Sequence, residues 1–345
     1  MGRLRIICAI IVLGMSTMLG MQAQTLEWQL NANGFFDNSE GDNTYRTTMT
    51  YSGLRLSPEV GISLDGSRHA LMVGYSGLAE WGHKGGFTDG DPIAYYRYSN
   101  AGFRFMLGSF SREHLIGDYP TAMISDTVRY YRPMIQGFAF QYQSDGGHIE
   151  AFLDWTRSRT DTKREQFMAG FSLRKNMGKF SLGTEGYYYH YALTWNADES
   201  QHIHDFFVAR PYIGYSLLPE QQGQLDVRLG ALLSLDRERS DKWHVPVGFI
   251  AEADADWHNI VAHQTFYAGG SQQHYGSAHF GQYYWGDTYY QSHFYSRTDL
   301  RYRFIRSEHV EALAGAIFNI TAKGLNWHQM LTLRFSIGGS KQFRQ

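Results

Sequence analysis

Residues 310–337 carry a two-residue period that few backbones satisfy. In the final run, Trp327, Gln329, Leu331, Leu333, Phe335 and Ile337 share one face, while His328, Met330, Thr332, Arg334 and Ser336 share the other. The run before it sets Val310, Ala312, Ala314, Ala316, Phe318 and Ile320 opposite Glu311, Gly315 and Asn319. Side chains that alternate in this way lie on β-strands. In a soluble sandwich the apolar face would be the buried one. Here the polar face also carries Arg297, Asp299, Arg301 and Arg303 of the preceding strand. Long strands charged on one side read better as a cylinder with lipid outside and water inside.

The same alternation divides the chain into sixteen expected strands: 26–37, 53–64, 68–80, 93–99, 102–111, 134–143, 148–157, 165–175, 179–193, 203–217, 224–236, 244–256, 259–269, 292–305, 308–320 and 327–337. Most have the ten or so residues that a tilted strand needs to cross a bilayer, about twice the usual sandwich strand. Tryptophans cluster at their ends: Trp28, Trp81, Trp155, Trp195, Trp243, Trp257 and Trp327 suggest two aromatic girdles. Pro58, Pro211 and Pro246 fall inside these segments, which implies bulges or misplaced boundaries. Gln136 shares a side with Phe138, Phe140 and Tyr142, so fourteen strands is the alternative count.

The N-terminus reads as an export signal over residues 1–23. Arg3 and Arg5 precede the apolar run Ile6 to Leu13, and Met21-Gln22-Ala23 is the expected cleavage site. Residues 24–345 then form one domain, with no linker or composition break. Cleavage removes Cys8, the only cysteine, so the mature chain has neither disulfide nor thiol nucleophile. It also takes the formal charge from −2 to −4, 29 basic against 33 acidic residues, which gives no basis for nucleic-acid binding.

Connections after even-numbered strands are short and often turn-forming, as in Asp65-Gly66-Ser67 and Asn176-Met177-Gly178. Those after odd-numbered strands are mostly longer, notably 38–52, 81–92, 112–133 and 270–291. This rhythm resembles the bacterial outer-membrane β-barrel family, specifically its porin-like members. The resemblance implies an all-β, up-and-down transmembrane barrel in the outer membrane, with both termini periplasmic and outer-membrane lipid around it. The departure is the C-terminus, where Gly338 to Gln345 follow the last strand and only Phe343 supplies a late aromatic.

A sixteen-stranded barrel is wide enough for an aqueous channel. The expected function is therefore passive passage of small hydrophilic solutes through a charged, tyrosine-lined pore, with no cofactor or metal. The inward set includes Arg97, Arg104, Glu150, Asp154, Arg210, Glu252, Asp254, Arg297, Asp299, Arg301, Arg303 and Arg334. Its arginines and carboxylates gather on different strands, an arrangement that would set a transverse field across a pore. By the porin resemblance, the third long loop, 112–133, would narrow the lumen with Glu113, Asp118, Asp126 and Arg129.

Two other readings stand beside it. The barrel could be a closed scaffold whose Tyr-rich loop 270–291 binds a polysaccharide or surface partner, a homo-oligomer included. It could instead be a hydrolase acting at the rim. For that, His202, His204 and Asp205 are the local candidates, with His263, His274 and His279 as options without a motif. The expectation from sequence is no enzymatic activity.

Overall fold

The computed structural model describes residues 24–218, 223–276 and 283–342. The expected signal, His279 and Phe343 lie outside them. Sixteen antiparallel strands close into one barrel, each paired with its sequence neighbours and β1 with β16. The first eight are β1 (Thr25–Gly41), β2 (Met49–Leu64), β3 (His69–Glu80), β4 (Asp89–Asn100), β5 (Phe103–Ser111), β6 (Met134–Ser144), β7 (Gly147–Arg157) and β8 (Gln166–Met177). The second eight are β9 (Phe180–Tyr191), β10 (His204–Ser216), β11 (Gln224–Glu238), β12 (Val247–Trp257), β13 (Ile260–Gly269), β14 (Phe294–Arg306), β15 (Val310–Thr321) and β16 (Gly324–Gln342). Closure pairs every strand on both sides, the condition for a sheet to sit in hydrocarbon.

The outward face is apolar and exposed along most strands, as at Leu71, Val73 and Tyr75 on β3, or Phe138, Phe140 and Tyr142 on β6. Gln136 is also outward and exposed, while Ala139 and Gln141 are buried, so the alternation of β6 is intact. The tight turn after β2 puts both Asp65 and Gly66 at positive φ, 52° and 64°, the backbone that an Asp-Gly hairpin favours.

Two of the three prolines interrupt a ladder on one side. The β2–β3 register passes from Leu56↔Gly77 to Glu59↔Gly74, leaving out Ser57 and Pro58. The β10–β11 register passes from Ala209↔Leu233 to Tyr212↔Gly230, leaving out Arg210 and Pro211. Pro246 lies just ahead of β12, which starts three residues later than the alternation suggests. The last strand is longer than its alternation suggests. It begins at Gly324, after a two-residue turn from β15, and runs to Gln342, and within it Gly338 and Gly339 pair with Gln29 and Trp28. Glycines carry no side-chain period, which is why this extension is invisible in the pattern.

The half of the lumen near the long loops is filled. The segment 112–133 folds inward with a short helix, α1 (Asp126–Tyr131), and brings Tyr119, Met123 and Ile124 into a buried cluster. The segment between β13 and β14 adds Tyr283, Tyr284, Trp285, Tyr289 and Tyr290, which pack on wall residues Tyr187, Tyr189, Phe206 and Tyr267. The two segments are stitched together: Ser125 N–H donates to Trp285 O at 2.9 Å, and Asp287 N–H to Thr121 O at 2.7 Å. Below this plug a cavity of about 420 Å³ remains, lined in part by Asn31, Glu59, Glu252 and Arg301.

Candidate active site at the long-loop rim

The charged residues expected to line a pore face inward, and most are tied to the plug or to one another. Arg112 donates to Asp154 at 2.5 Å, and Arg210 binds Glu185 at 2.7 Å and also Glu252. Glu150 accepts from the backbone N–H of Ile116 at 2.6 Å and Gly117 at 3.1 Å. Arg228 joins Asp118 to Asp254, Arg297 joins Asp126 at 2.8 Å to Asp299, and Arg303 joins Asp256 to Glu311. Arg301 pairs with Asp299 at 2.6 Å and Arg97 with Glu27 at 2.7 Å. Arg129 donates to Tyr119 O at 2.7 Å and Glu113 accepts from Asn33 at 3.3 Å. Arg104 and Arg334 have no ion pair among the described residues. The charges expected to form two separated banks are thus neutralised locally, many of them through residues 112–129. Asp118 opens onto the lumen but is hemmed in by protein, which opposes its ionisation, and Arg228 with Arg210 overcome this, leaving its pKa below the ordinary carboxylate range.

Four His–Asp pairs sit on the strands. Three point into the barrel. His204 Nε2 is 2.7 Å from Asp236, both side chains sealed from solvent under Tyr283 and Tyr284. His328 Nδ1 is 2.6 Å from Asp37, equally sealed. His263 meets Asp254 at 2.5 Å in the lumen. The fourth, His190 with Asp205, is set on the outward face among the described residues.

Parity places it there. Tyr187, Tyr189 and Tyr191 are buried inward on β9, which turns Tyr188 and His190 out. His204, Phe206 and Arg210 point inward on β10, which turns Asp205 out. Tyr188, His190 and Asp205 lie toward the long-loop end, since β9 ends there and β10 begins there, and β11 ends there too. His190 Nδ1 is 2.8 Å from Asp205 Oδ1, and Tyr188 O–H donates to the same oxygen at 2.6 Å. Arg239 Nε donates to Asp205 Oδ2 at 2.9 Å and Arg237 approaches it at 3.5 Å. Hydrogen bonding to Asp205 in turn raises the Arg239 pKa above its ordinary value. Trp243 lies under the Arg237 guanidinium at 4.2 Å, and Trp155 stacks on Phe167, whose ring is 5.1 Å from that of His190. His190 Nε2 makes no hydrogen bond to the described residues. Its tautomer is fixed by the acid behind it, which leaves Nε2 to act as a base on whatever stands at the rim.

A sequence model of the lipid A 3'-O-deacylase-type family matches residues 19–338, nearly the whole chain. The chain belongs to this family. In fold it is similar to OmpT of Vibrio cholerae, at 9% identity over 92% of this chain and 100% of that one, with a TM-score of 0.57. It is likewise similar to the anion-selective porin of Comamonas acidovorans, at 10% identity over 92% and 100% with a TM-score of 0.54. OprD of Pseudomonas aeruginosa gives 9% identity over 91% and 94% with a TM-score of 0.51. A comparison with curated protein sequences returns no match. At such identities the porins share the barrel alone. The protein is an outer-membrane β-barrel, as the alternation indicates. The solute channel is not supported, because the family is one of outer-membrane enzymes. The expectation of no enzymatic activity falls for the same reason, which leaves the hydrolase alternative.

Within that reading, the expected trio of His202, His204 and Asp205 is not brought together. His202 precedes β10, and its carbonyl accepts from Arg164. His204 and Asp205 are neighbours on opposite faces of the sheet. The residue missed is His190, and the signal was present: with Glu185 and Arg210 assigned inward, odd–even counting alone puts both His190 and Asp205 outside.

Proposed function

We propose that this protein hydrolyses an ester-linked acyl chain of a phosphorylated glycolipid, lipid A as the family's description has it, at the His190–Asp205 site. The observation that carries the reading is a His–carboxylate pair with two arginines on the face a barrel normally gives to hydrocarbon. The cluster lies at the strand ends, where charge is tolerated, so what supports a function is its geometry. One carboxylate is shared by an imidazole, a phenol and two guanidinium groups, with the second imidazole nitrogen left free of partners among the described residues. In the proposed reaction His190 Nε2 takes a proton from water as the water oxygen attacks the ester carbonyl carbon. The tetrahedral intermediate expels the sugar oxygen, which recovers the proton from His190, leaving a free fatty acid and a sugar hydroxyl. Asp205 accepts from His190 Nδ1–H, sets the tautomer and stabilises the imidazolium. Arg237 and Arg239 offer their remaining N–H groups to a phosphate, and the aromatics flanking them suit acyl chains.

The test is turnover of lipid A by the purified barrel in mixed micelles. His190→Gln is expected to lower kcat by about 10²–10⁴-fold, the usual contribution of a general base. Arg239→Gln should act mainly on KM. Wild-type turnover by His190→Gln in a correctly folded barrel would refute the assignment.

A further inference from the structure

Beyond the barrel wall, the connections after β11 and β13 bring together Asp241, His244 and His274. One ligand atom from each lies within 4.8 Å of the others. His244 Nε2 is 3.0 Å from Asp241 Oδ2, and the two imidazoles are parallel with centroids 3.4 Å apart. Zinc–nitrogen bonds of about 2.0–2.1 Å place tetrahedral ligand atoms roughly 3.3 Å apart, so the spacing is near that of a bound set, and the two stacked rings must turn about their side-chain bonds for their nitrogens to converge on one ion.

The site is built from behind. Asp236, wholly buried, exchanges two backbone hydrogen bonds with His244, at 2.9 and 2.8 Å. Its side-chain Oδ2 accepts from the His274 backbone N–H at 2.8 Å, so one residue fixes the main chain of both histidines. Tyr275 stands edge-on to both rings and donates from its hydroxyl to Asp241 Oδ2 at 3.1 Å. A carboxylate held by a tyrosine hydroxyl, beside two imidazoles whose main chain is anchored, is an arrangement that suits metal ligation.

We infer that Asp241, His244 and His274 form a binding site for a divalent transition ion, of which Zn²⁺ is the best match to two imidazoles and one carboxylate. Calcium and magnesium, which demand oxygen ligands, are poorly served. The ion would clip the β11–β12 connection to the plug segment after β13. It would also steady Trp243, on which Arg237 of the rim site lies. The site's existence does not depend on the deacylase reading.

The experiment is calorimetric titration of the tag-free, full-length, chelator-treated barrel with ZnCl₂, with CaCl₂ as control. The cobalt-substituted protein gives an independent signature in its visible absorption. Binding of one Zn²⁺ per chain with micromolar or tighter affinity is expected, together with d–d bands of a four-coordinate ion. A loss of at least tenfold is expected for His244→Gln and for His274→Gln, each checked for an unchanged far-UV spectrum. No binding, equal binding of calcium, or full affinity in the His244→Gln/His274→Gln double variant overturns the site.

Discussion

Asp205 gathers His190, Tyr188, Arg237 and Arg239 around one carboxylate, while its chain neighbour His204 is sealed inside against Asp236. One step along a strand exchanges lipid for lumen. That step is also where reading the sequence stopped short. Adjacent His and Asp in a sequence invite pairing, but in a strand adjacency means opposite faces, and the partner lies across the ladder at His190. Inside the barrel, Arg210 shows the same rule at work. It bridges Glu185 and Glu252, all three buried, and donates to the Asp118 carbonyl at 3.1 Å. Arg210→Met leaves Glu185 without its paired cation and Glu252 with only the more distant Arg228, at 3.7 Å. Breaking such a buried set costs about 3–5 kcal/mol. The barrel should therefore lose its heat-resistant electrophoretic mobility at a clearly lower temperature, whereas an unchanged transition would mean that the carboxylates find other partners.

Among the elements, the segment 112–133 decides whether the cylinder is a conduit or a scaffold. Its inward course follows from the porin resemblance, but its role does not. The signal that it forms a core lay in its apolar residues, Met123 and Ile124 among them, and in its backbone N–H groups, which find Glu150 waiting on β7. No periodicity in the sequence pairs a loop with a particular wall residue. His114 supplies a test of this packing. Burial, reinforced by Arg104 and Arg97, lowers its pKa to about 4, and its Nε2 is sealed without a partner. A histidine with a depressed folded pKa binds fewer protons folded than unfolded across this range. Stability is therefore full above pH 6.5 and falls as pH drops toward 4, by up to about 3 kcal/mol. His114→Gln should flatten that dependence between pH 4 and 6.5 in urea titrations, and a wild-type slope in the variant would place the pH sensitivity elsewhere.

For the whole molecule, strand number, face assignment and the alternation of long and short connections were legible because a lipid-facing barrel imposes a period of two on every strand. What the barrel does was not legible, because the same wall serves an open lumen or a filled one, and the difference lies in loops and in which polar residues face outward. The filled upper half, the locally paired charges and the outward His190–Asp205 cluster are what support the proposal that the chemistry takes place on the outside of the cylinder, where a membrane lipid would reach it without entering. The most direct test is a mass spectrum of lipid A from cells expressing the wild-type barrel, compared with cells expressing His190→Gln at equal outer-membrane levels. The account predicts a lipid A lighter by the acyl group on the 3' oxygen with the wild type, and unshifted lipid A with the variant. The same mass loss from both, or from neither, would contradict it.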